Sequence, residues 1–405
     1  MRALFLPVFT ALACLGAADA QTAQPGISGL LGGKQATGEL HPILTPEFQA
    51  QTDRDTDTRL TAGNRLELLE NGSVAFPRKL ELLAAATGTI RFSSMGAKRD
   101  ETGTAFSDAL IAAVGRGVEV RCIIDGRLST PTFRSKLRKG GVEVAVFNKV
   151  LKRDRKHRWH AKILVIDDDT AIVGGMNMSD EFNLGDGENE HFKDSDVQVE
   201  GDGARAAAIR FDELWRDLTD KAPLEVAAPA PVPADAPPEG LARFVVQQGD
   251  LGETKIRDYY ARCFAVAQDR IVWHVNNINP HGPAFEALQA AVGRGVRVVC
   301  ITRSELATQR MAGKWIGKAW YRTMSKKLEV FVEAGIEVWE MDVGVHSKAL
   351  VVDGVMASVG SYNLGSAKSD ENLESTYVMH DPALIASVEA MLARDLARAQ
   401  RVEKR

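Results

Sequence analysis

The chain has 405 residues, of which 45% are hydrophobic and 26% are charged, and its formal net charge is −4 at pH 7. This length suits about two domains, and the composition is that of a globular protein rather than a disordered or fibrous one. The acidic balance argues against a protein that coats nucleic acid, because contact with the phosphate backbone requires a basic surface.

The N-terminal residues have the pattern of a secretory signal peptide, predicted over residues 1–20. Arg2 supplies positive charge, Ala3–Gly16 is an apolar segment too short to span a membrane, and Ala18–Ala20 fits a small-residue cleavage site. We expect cleavage after Ala20 and export to a bacterial periplasm or the extracellular space; a lipoprotein anchored at Cys14 is the alternative. No later apolar run is long enough to span a membrane, so the exported protein is expected to be soluble or peripherally membrane-associated.

Composition divides the rest of the chain into four segments. Residues 21–61 are polar with scattered Gly and Pro, which predicts a loosely ordered N-terminal segment. Residues 222–240 contain six of the 15 prolines and no periodic apolar pattern, which predicts an exposed, semi-rigid linker. On either side of this linker lie two predicted repeats, residues 62–221 and residues 241–405.

The two repeats share the same order of elements. Asp108–Arg127 matches Glu286–Glu305, and each stretch begins as an amphipathic helix, turns at Gly-Arg-Gly and continues as a β-branched strand. In both repeats a helix and a second strand follow, then a histidine-containing segment, another strand and a closing helix. This alternation predicts an α/β fold of two pseudo-symmetric repeats, each a mixed β-sheet flanked by helices.

The histidine-containing segments are the most specific feature of the sequence. They read "HAKILVIDDDTAIVGGMN" from His160 to Asn177 and "HSKALVVDGVMASVGSYN" from His346 to Asn363. Both follow one template of His-x-Lys, four residues, Asp, six residues, and Gly-Gly or Gly-Ser before x-Asn. Two copies of this template at equivalent places of a repeat are not expected by chance, so the motif is specific.

The spacing of this template suits the binding of a phosphate. Residues two apart in an extended segment point to the same side, so each His and Lys face one way together. The glycine allows close approach of the backbone, and the Asn amide is a hydrogen-bond donor. Such a set could hold a phosphate by charge and hydrogen bonds while the imidazole attacks or transfers a proton.

The motif pair resembles the phospholipase D superfamily, whose members carry two His-Lys-Asp motifs. The "GGMN" ending, "HFKDSDVQVEG" and "FDELW" resemble its cardiolipin synthase branch, and the similarity extends over about residues 66–400. The resemblance implies that two α/β halves of one monomer meet at a shared active site. It also implies a phospholipid substrate and no requirement for a metal or other cofactor.

The resemblance assigns roles to individual residues. His160 is the implied nucleophile, forming a phosphohistidine, and His346 the acid that protonates the leaving alcohol, although the residues alone do not decide between them. The side chains expected to contact the phosphate oxygens are Lys162, Lys348, Asn177 and Asn363, and the substrate is also expected to contact Gly175 and Ser361. Gly175 departs from the pattern of the second copy, which has Ser361 at the equivalent position.

Each imidazole needs an acidic partner to fix its tautomer, and the family places one on the next strand. Asp194 is the expected partner of His160, with Asp196 as the alternative, and Glu374 is the expected partner of His346. The motif carboxylates Asp167 and Asp353 complete the predicted site and are expected to hold the fold around it rather than to touch substrate.

These observations favour an exported enzyme acting on phospholipid phosphodiesters, either by head-group hydrolysis or by phosphatidyl transfer as in cardiolipin synthesis. A nuclease of the same superfamily is the alternative enzyme, although no nucleic-acid partner is expected, and an inactive lipid-binding protein is the non-enzymatic alternative. The remaining histidines lack metal-ligand spacing. Arg310–Arg322 mixes basic residues with tryptophans, which suits either a membrane interface or a helix with one buried face.

Overall fold

The computed structural model describes residues 40–148, 157–183, 192–233 and 236–403. The predicted signal peptide and the first part of the predicted N-terminal segment lie outside these ranges. No helix of the described ranges has both the length and the apolar character needed to cross a bilayer. The architecture is the predicted one, with two repeats that each contain a mixed sheet flanked by helices.

The first half follows a short helix, α1 (Pro46–Thr56). Its elements in chain order are β1 (Arg65–Glu70), α2 (Gly72–Ala85), β2 (Thr89–Ser94), α3 (Glu101–Gly115), β3 (Glu119–Asp125), α4 (Pro131–Lys139), β4 (Glu143–Phe147), β5 (Ile163–Ile166), β6 (Thr170–Gly174), α5 (Asp180–Asn183), β7 (Phe192–Lys193), β8 (Ser195–Glu200) and α6 (Asp202–Thr219). Seven of the described strands form a sheet in the order β1-β8-β6-β5-β2-β3-β4. β2, β3 and β4 are parallel, and the other neighbours are antiparallel.

The second half repeats this arrangement. Its elements in chain order are β9 (Ala242–Gln248), α7 (Lys255–Val266), β10 (Arg270–His274), α8 (Pro283–Gly293), β11 (Arg297–Arg303), α9 (Glu305–Ala312), α10 (Lys314–Glu333), β12 (Glu337–Met341), β13 (Gly344–Val345), β14 (Leu350–Val352), β15 (Met356–Gly360), α11 (Ala367–Glu371), β16 (Leu373–Met379), α12 (Pro382–Arg398) and β17 (Gln400–Arg401). The described sheet has the order β17-β12-β11-β10-β14-β15-β16-β9, so β10, β11 and β12 correspond to β2, β3 and β4.

The Gly-Arg-Gly turns end α3 and α8 at equivalent places. Gly117 has φ +94° and Gly295 has φ +84°, which is the left-handed region that ends a helix and that a side chain disfavours. The strands that follow, β3 and β11, are almost completely buried, as the β-branched runs predict.

The two halves share one hydrophobic core. Inward-facing residues of both sheets, such as Val165 and Val351, belong to a single buried cluster with Phe211 of α6 and Leu392 of α12. A separate cluster lies between each sheet and its outer helices. The shared core fixes the relative position of the halves, and with it the position of any site that draws residues from both.

The predicted N-terminal segment is ordered where the structure describes it, contrary to the expectation of loose order. Thr45 caps α1, because its Oγ accepts a hydrogen bond from the Phe48 N–H at 3.3 Å. The helix then packs on the second half, where Asp53 lies 2.6 Å from the buried guanidinium of Arg243. The polar composition did not predict this ordered helix, because ion pairs rather than a broad apolar face hold it against the second half.

The linker predicted over residues 222–240 lies between α6 and β9. Residues 222–233 contain no helix or strand, and most of their side chains are exposed. The Arg121 Nη1 donates to the Ala222 carbonyl at 3.1 Å, and the Ala230 N–H donates to Asp202 Oδ2 at 2.8 Å. The segment therefore runs along the surface of the first half before it enters the second.

Candidate active site

The two histidine-containing segments meet at the junction of the halves, and each is held by the opposite half. The backbone N–H groups of His160 and Ala161 both donate to the Leu373 carbonyl, at 2.8 and 3.0 Å. The backbone N–H groups of His346 and Ser347 donate to the Lys193 carbonyl, at 2.8 and 3.1 Å. This reciprocal pairing, which includes the parallel bridge of β7 with β13, brings the two motifs into one site.

Each imidazole is bound to a carboxylate of the opposite repeat. His160 Nδ1 lies 2.7 Å from Glu374 Oε2, and His346 Nδ1 lies 2.7 Å from Asp194 Oδ2. Both carboxylates are completely buried. The structure thus corrects the expected pairing within each repeat, because Asp194 and Glu374 each bind the imidazole of the other repeat.

The exchange follows from the main chain. Glu374 comes directly after Leu373, whose carbonyl holds the His160 segment, and Asp194 comes directly after Lys193, whose carbonyl holds the His346 segment. Asp196, the alternative partner, is instead engaged by Lys79 Nζ at 2.6 Å. Since Nδ1 of each imidazole faces a carboxylate, Nε2 is the atom left to attack or to transfer a proton.

The two lysines lie beside the imidazoles and are almost completely buried. Lys162 Nζ donates to the His160 carbonyl at 2.6 Å, and Lys348 Nζ lies 2.8 Å from His346 Nδ1. Burial lowers the pKa of Lys162 to about 8 and that of Lys348 to about 7, although Asp194 and Glu374 oppose the shift. The nearby carboxylates do not fully offset the cost of burying these two ammonium groups. The site therefore favours the binding of an anion.

Burial disfavours the protonated form of both imidazoles. Burial lowers the pKa of His160, with the lysines adding to the effect and Glu374 opposing it. The pKa of His346 lies well below its usual value because of burial and the positive charges of Lys348 and Lys162. A neutral imidazole is what a nucleophile requires, whereas an acid must first gain a proton.

The two asparagines complete the site and are each more than nine-tenths buried. Asn177 Oδ1 accepts a hydrogen bond from the Gly96 N–H at 3.1 Å, so its amide nitrogen is the end available to a ligand. Asn363 Oδ1 is buried without a hydrogen-bond partner. A phosphate oxygen only accepts hydrogen bonds, so the amide nitrogens of the two asparagines, and not their Oδ1 atoms, are the groups that could bind it.

The motif carboxylates Asp167 and Asp353 lie away from the imidazoles, at the start of β2 and β10. Asp167 accepts hydrogen bonds from the N–H groups of Gly88 and Thr89 at 2.7 and 2.9 Å. Asp353 accepts equivalent bonds from the chain before β10 and another from His41 Nε2 at 2.8 Å. They therefore stabilise the strand entry in each half, and their contacts with described residues do not include either imidazole.

Ser361 and Gly175 occupy equivalent positions but do different things. Ser361 is fully buried, and its hydroxyl donates to Glu374 Oε2, so it orients the carboxylate that binds His160. At Gly175 an added Cβ would lie 2.2 Å from Asp194 Oδ1. The first repeat therefore needs glycine there, because the carboxylate of Asp194 fills the space that a side chain would take.

Gly175→Ser, which copies the second motif, is expected to lower kcat by at least about tenfold without unfolding the protein. The new side chain must push the Asp194 carboxylate away from His346. Gly175→Ser combined with Asp194→Glu should recover part of the loss. Gly115→Ser is the control, because nothing lies within 4 Å of a Cβ at that position. Steady-state kinetics and thermal unfolding check the prediction, and a fully active Gly175→Ser variant would contradict it.

The sequence did not single out Arg303, which ends β11 close to the second motif. Its charge is among those that lower the pKa of His346 and Lys348. The residue is 7% exposed, and its guanidinium donates to the Asn276 carbonyl at 2.7 Å and to Thr308 at 3.2 Å. When the two repeats are aligned, Arg303 occupies the position that Asp125 has in the first repeat. Comparison of the two copies could therefore have revealed this difference in charge.

Aromatic rings cover one side of His346. The ring centroids of Phe182 and Phe192 lie 5.0 and 5.2 Å from that of the imidazole. These contacts exclude water from one face of the ring and contribute to the desolvation that lowers its pKa.

A family model described as the phospholipase D-like domain of cardiolipin synthase matches residues 80–215 and residues 260–396, more than half of the chain. The chain belongs to the phospholipase D superfamily, in its cardiolipin synthase-like branch. Each matched range lies within one half of the fold and includes its histidine, so the protein is an enzyme of the phospholipase D type.

Individual relatives agree with this assignment. A probable cardiolipin synthase of Bacillus subtilis is 24% identical over 369 residues, which cover 88% of this chain and 70% of the relative. Cardiolipin synthase A of Pseudomonas aeruginosa is 28% identical over 355 residues, which cover 85% and 69%. The crystal structure of phosphatidylserine synthase from Haemophilus influenzae aligns with a TM-score of 0.64 and 15% identity over 87% of this chain and 92% of that one.

The buried lysines predict that kcat/KM of this phospholipase D-type enzyme falls toward alkaline pH. A lysine with a lowered pKa is charged only below that value, so the site loses positive charge as the pH rises through about 7 for Lys348 and about 8 for Lys162. We expect kcat/KM to fall by about tenfold or more from about pH 6.5 to about pH 9. Kinetics with a phospholipid in neutral detergent micelles check this, and a flat profile would contradict it.

Proposed function

We propose that the protein is an exported phosphatidyltransferase that forms a phosphohistidine on His160 and passes the phosphatidyl group to the hydroxyl of a second lipid. The observation that carries the proposal is the paired site, with one carboxylate-bound imidazole, one lysine and one asparagine from each half. The relatives named as cardiolipin synthases support transfer to a lipid alcohol. Export rests on the signal-peptide pattern of residues 1–20.

In the first step, His160 Nε2 attacks phosphorus and the bond from phosphorus to the leaving oxygen breaks. His346 gives its Nε2 proton to that oxygen, so the leaving group departs as a neutral alcohol. In the second step, His346 takes the proton from the incoming hydroxyl, whose oxygen attacks phosphorus while the bond to His160 breaks. The lysines and asparagines hold the non-bridging oxygens through both steps.

The positive charges around His346 oppose its protonation, and a bound anion would offset them. Lys348, Lys162 and Arg303 all lower the pKa of His346. A phosphodiester anion bound among these groups offsets their charge and so raises the pKa of His346. Binding of the substrate thereby favours the protonated acid at the moment when it is needed.

We further propose that one chain suffices for activity, because both halves of the site come from the same polypeptide, and that the protein meets its substrate at a membrane surface as a peripheral protein. The test is incubation of the purified protein with phosphatidylglycerol vesicles, followed by mass spectrometry of the lipids. Cardiolipin is the expected product, and EDTA should not prevent its formation. Phosphatidic acid as the product would show that the enzyme hydrolyses the head group and does not transfer the phosphatidyl group. Unchanged lipid together with cleavage of added DNA would overturn the proposal.

A further inference from the structure

The first half of α10 exposes apolar and aromatic side chains that soluble surfaces rarely carry. Trp315 is 82% exposed, Ile316 is 56% exposed and Trp320 is 58% exposed. Ile316 and Trp320 are four residues apart and therefore adjacent on the helix surface. Large exposed apolar groups of this kind usually mark a binding surface.

A basic stripe runs along the exposed side of the same helix, next to Trp315. Lys314, Lys318 and Arg322 are spaced four residues apart, so they follow one line along the helix, and all three are exposed. Residues 310–327 contain six basic residues and no acidic one. Within the part of the chain that the structure describes, Lys314, Lys318 and Arg322 form no ion pair.

The opposite side of α10 is fixed to the fold. A Cβ on Gly317 would lie 2.4 Å from the Gln309 Cα, so the helix touches α9 without space for a side chain. Further along, Leu328 and Phe331 are buried in the core of the second half. The exposed residues are thus presented by a rigid helix and not by a loose tail.

The α9–α10 pair also lies beside the active site. A Cβ on Gly344 would lie 2.9 Å from Met311 Sδ and 3.1 Å from Phe192 Cδ1. Gly344 is two residues before His346, and Phe192 packs on the His346 ring. A surface that contacts the exposed residues of α10 would therefore be close to the segment that carries His346.

We infer that Lys314, Trp315, Ile316, Lys318, Trp320 and Arg322, the α10 face, dock the protein on an anionic lipid bilayer beside the active site. Indole rings suit the interface of a bilayer, and a basic stripe complements anionic head groups. This inference rests on the proposed function for its purpose, because the docked protein would receive lipid directly from the membrane. A second copy of this chain is a poorer occupant, since the like charges of the stripe would meet.

Vesicle flotation with the full-length protein tests the inference, using phosphatidylglycerol–phosphatidylcholine vesicles and pure phosphatidylcholine vesicles. Binding should be stronger to the anionic vesicles. Trp315→Ala with Trp320→Ala should weaken this binding by at least about tenfold. Lys314→Gln, Lys318→Gln and Arg322→Gln together should weaken it by about 100-fold. Leu251→Ala, at a residue 69% exposed elsewhere, and Lys139→Gln are the matched controls and should bind like the wild type.

Turnover of a monomeric short-chain phosphatidylglycerol separates docking from catalysis. The α10 variants should keep their activity on this soluble lipid while losing it on vesicles. If no lipid is turned over but the variants still lose vesicle binding, the proposed function fails and the docking face stands. Vesicle binding equal to that of the wild type in both variants would overturn the inference. So would a change in the oligomeric state of the variants in solution with no change in their vesicle binding.

Discussion

His160→Ala and His346→Ala are each expected to abolish turnover of phosphatidylglycerol, with losses of about 10⁴-fold for the nucleophile and about 10² to 10⁴-fold for the acid. Each imidazole has its own carboxylate and leaves only Nε2 for chemistry, so neither can replace the other. Mass spectrometry of the lipid products checks the loss. His281→Ala is the control, because His281 is exposed and outside the site.

A substrate with a nitrophenol leaving group separates the two roles. Nitrophenolate departs without a proton, so His346→Ala should still release one equivalent of it rapidly, whereas His160→Ala should release none. Stopped-flow absorbance measures this release. Rapid release by His160→Ala and none by His346→Ala would reverse the assignment of nucleophile and acid. Full phosphatidylglycerol turnover in either variant would exclude the two-histidine mechanism.

Glu374→Gln and Asp194→Asn are expected to lower kcat by about 10² to 10⁴-fold, because each removes the group that fixes an imidazole tautomer. The exchanged pairing makes their phenotypes distinguishable. Glu374→Gln should behave like His160→Ala and lose nitrophenol release. Asp194→Asn should behave like His346→Ala and retain it.

The same nitrophenol assay would expose an error in the pairing. If each carboxylate served the histidine of its own repeat, Asp194→Asn would lose nitrophenol release and Glu374→Gln would retain it. Nitrogen chemical shifts of labelled histidine give an independent measurement, since the His160 signals should move in Glu374→Gln and the His346 signals in Asp194→Asn. Asp167→Asn is the control for both residues, because Asp167 binds only the chain at the start of β2.

The two halves and most of their site could be predicted because the information is local and doubled. The repeated Gly-Arg-Gly turn, the β-branched strands and the His-x-Lys spacing each appear twice, and each copy supports the interpretation of the other. The roles of Asp167 and Asp353 in holding the fold also follow from their motif position and agree with their backbone contacts.

The exchange of carboxylates could not be predicted, because it depends on how the halves meet. Asp194 lies 34 residues after His160 along the chain, yet its partner is His346, 152 residues away. Spacing within a repeat favours the local pairing. The hydrogen bonds from His160 to Leu373 and from His346 to Lys193 cross between the halves. These bonds determine which carboxylate lies beside which histidine.

The other omissions have similar causes. Helix α1 is held by ion pairs such as Asp53 with Arg243, which a polar composition does not distinguish from solvated charges. The bond from the Ser361 hydroxyl to Glu374 was not predicted, because the direction of this side chain depends on the depth of the following strand. The sequence alone could not show whether Trp315 and Trp320 are exposed or lie on a buried face of a helix. The packing of α10 on α9 decides between these two possibilities.

The central claim is that a phosphatidyl group is carried on His160 at a site built by both halves. Its most direct test is rapid quench of Asp194→Asn and the nitrophenyl substrate in a denaturant near neutral pH, which preserves the acid-labile bond of a phosphohistidine, followed by peptide mass spectrometry. The account predicts one phosphatidyl adduct, on the peptide containing His160, and none in His160→Ala. An adduct on the His346 peptide, on another residue, or on no residue while nitrophenol is released would contradict it.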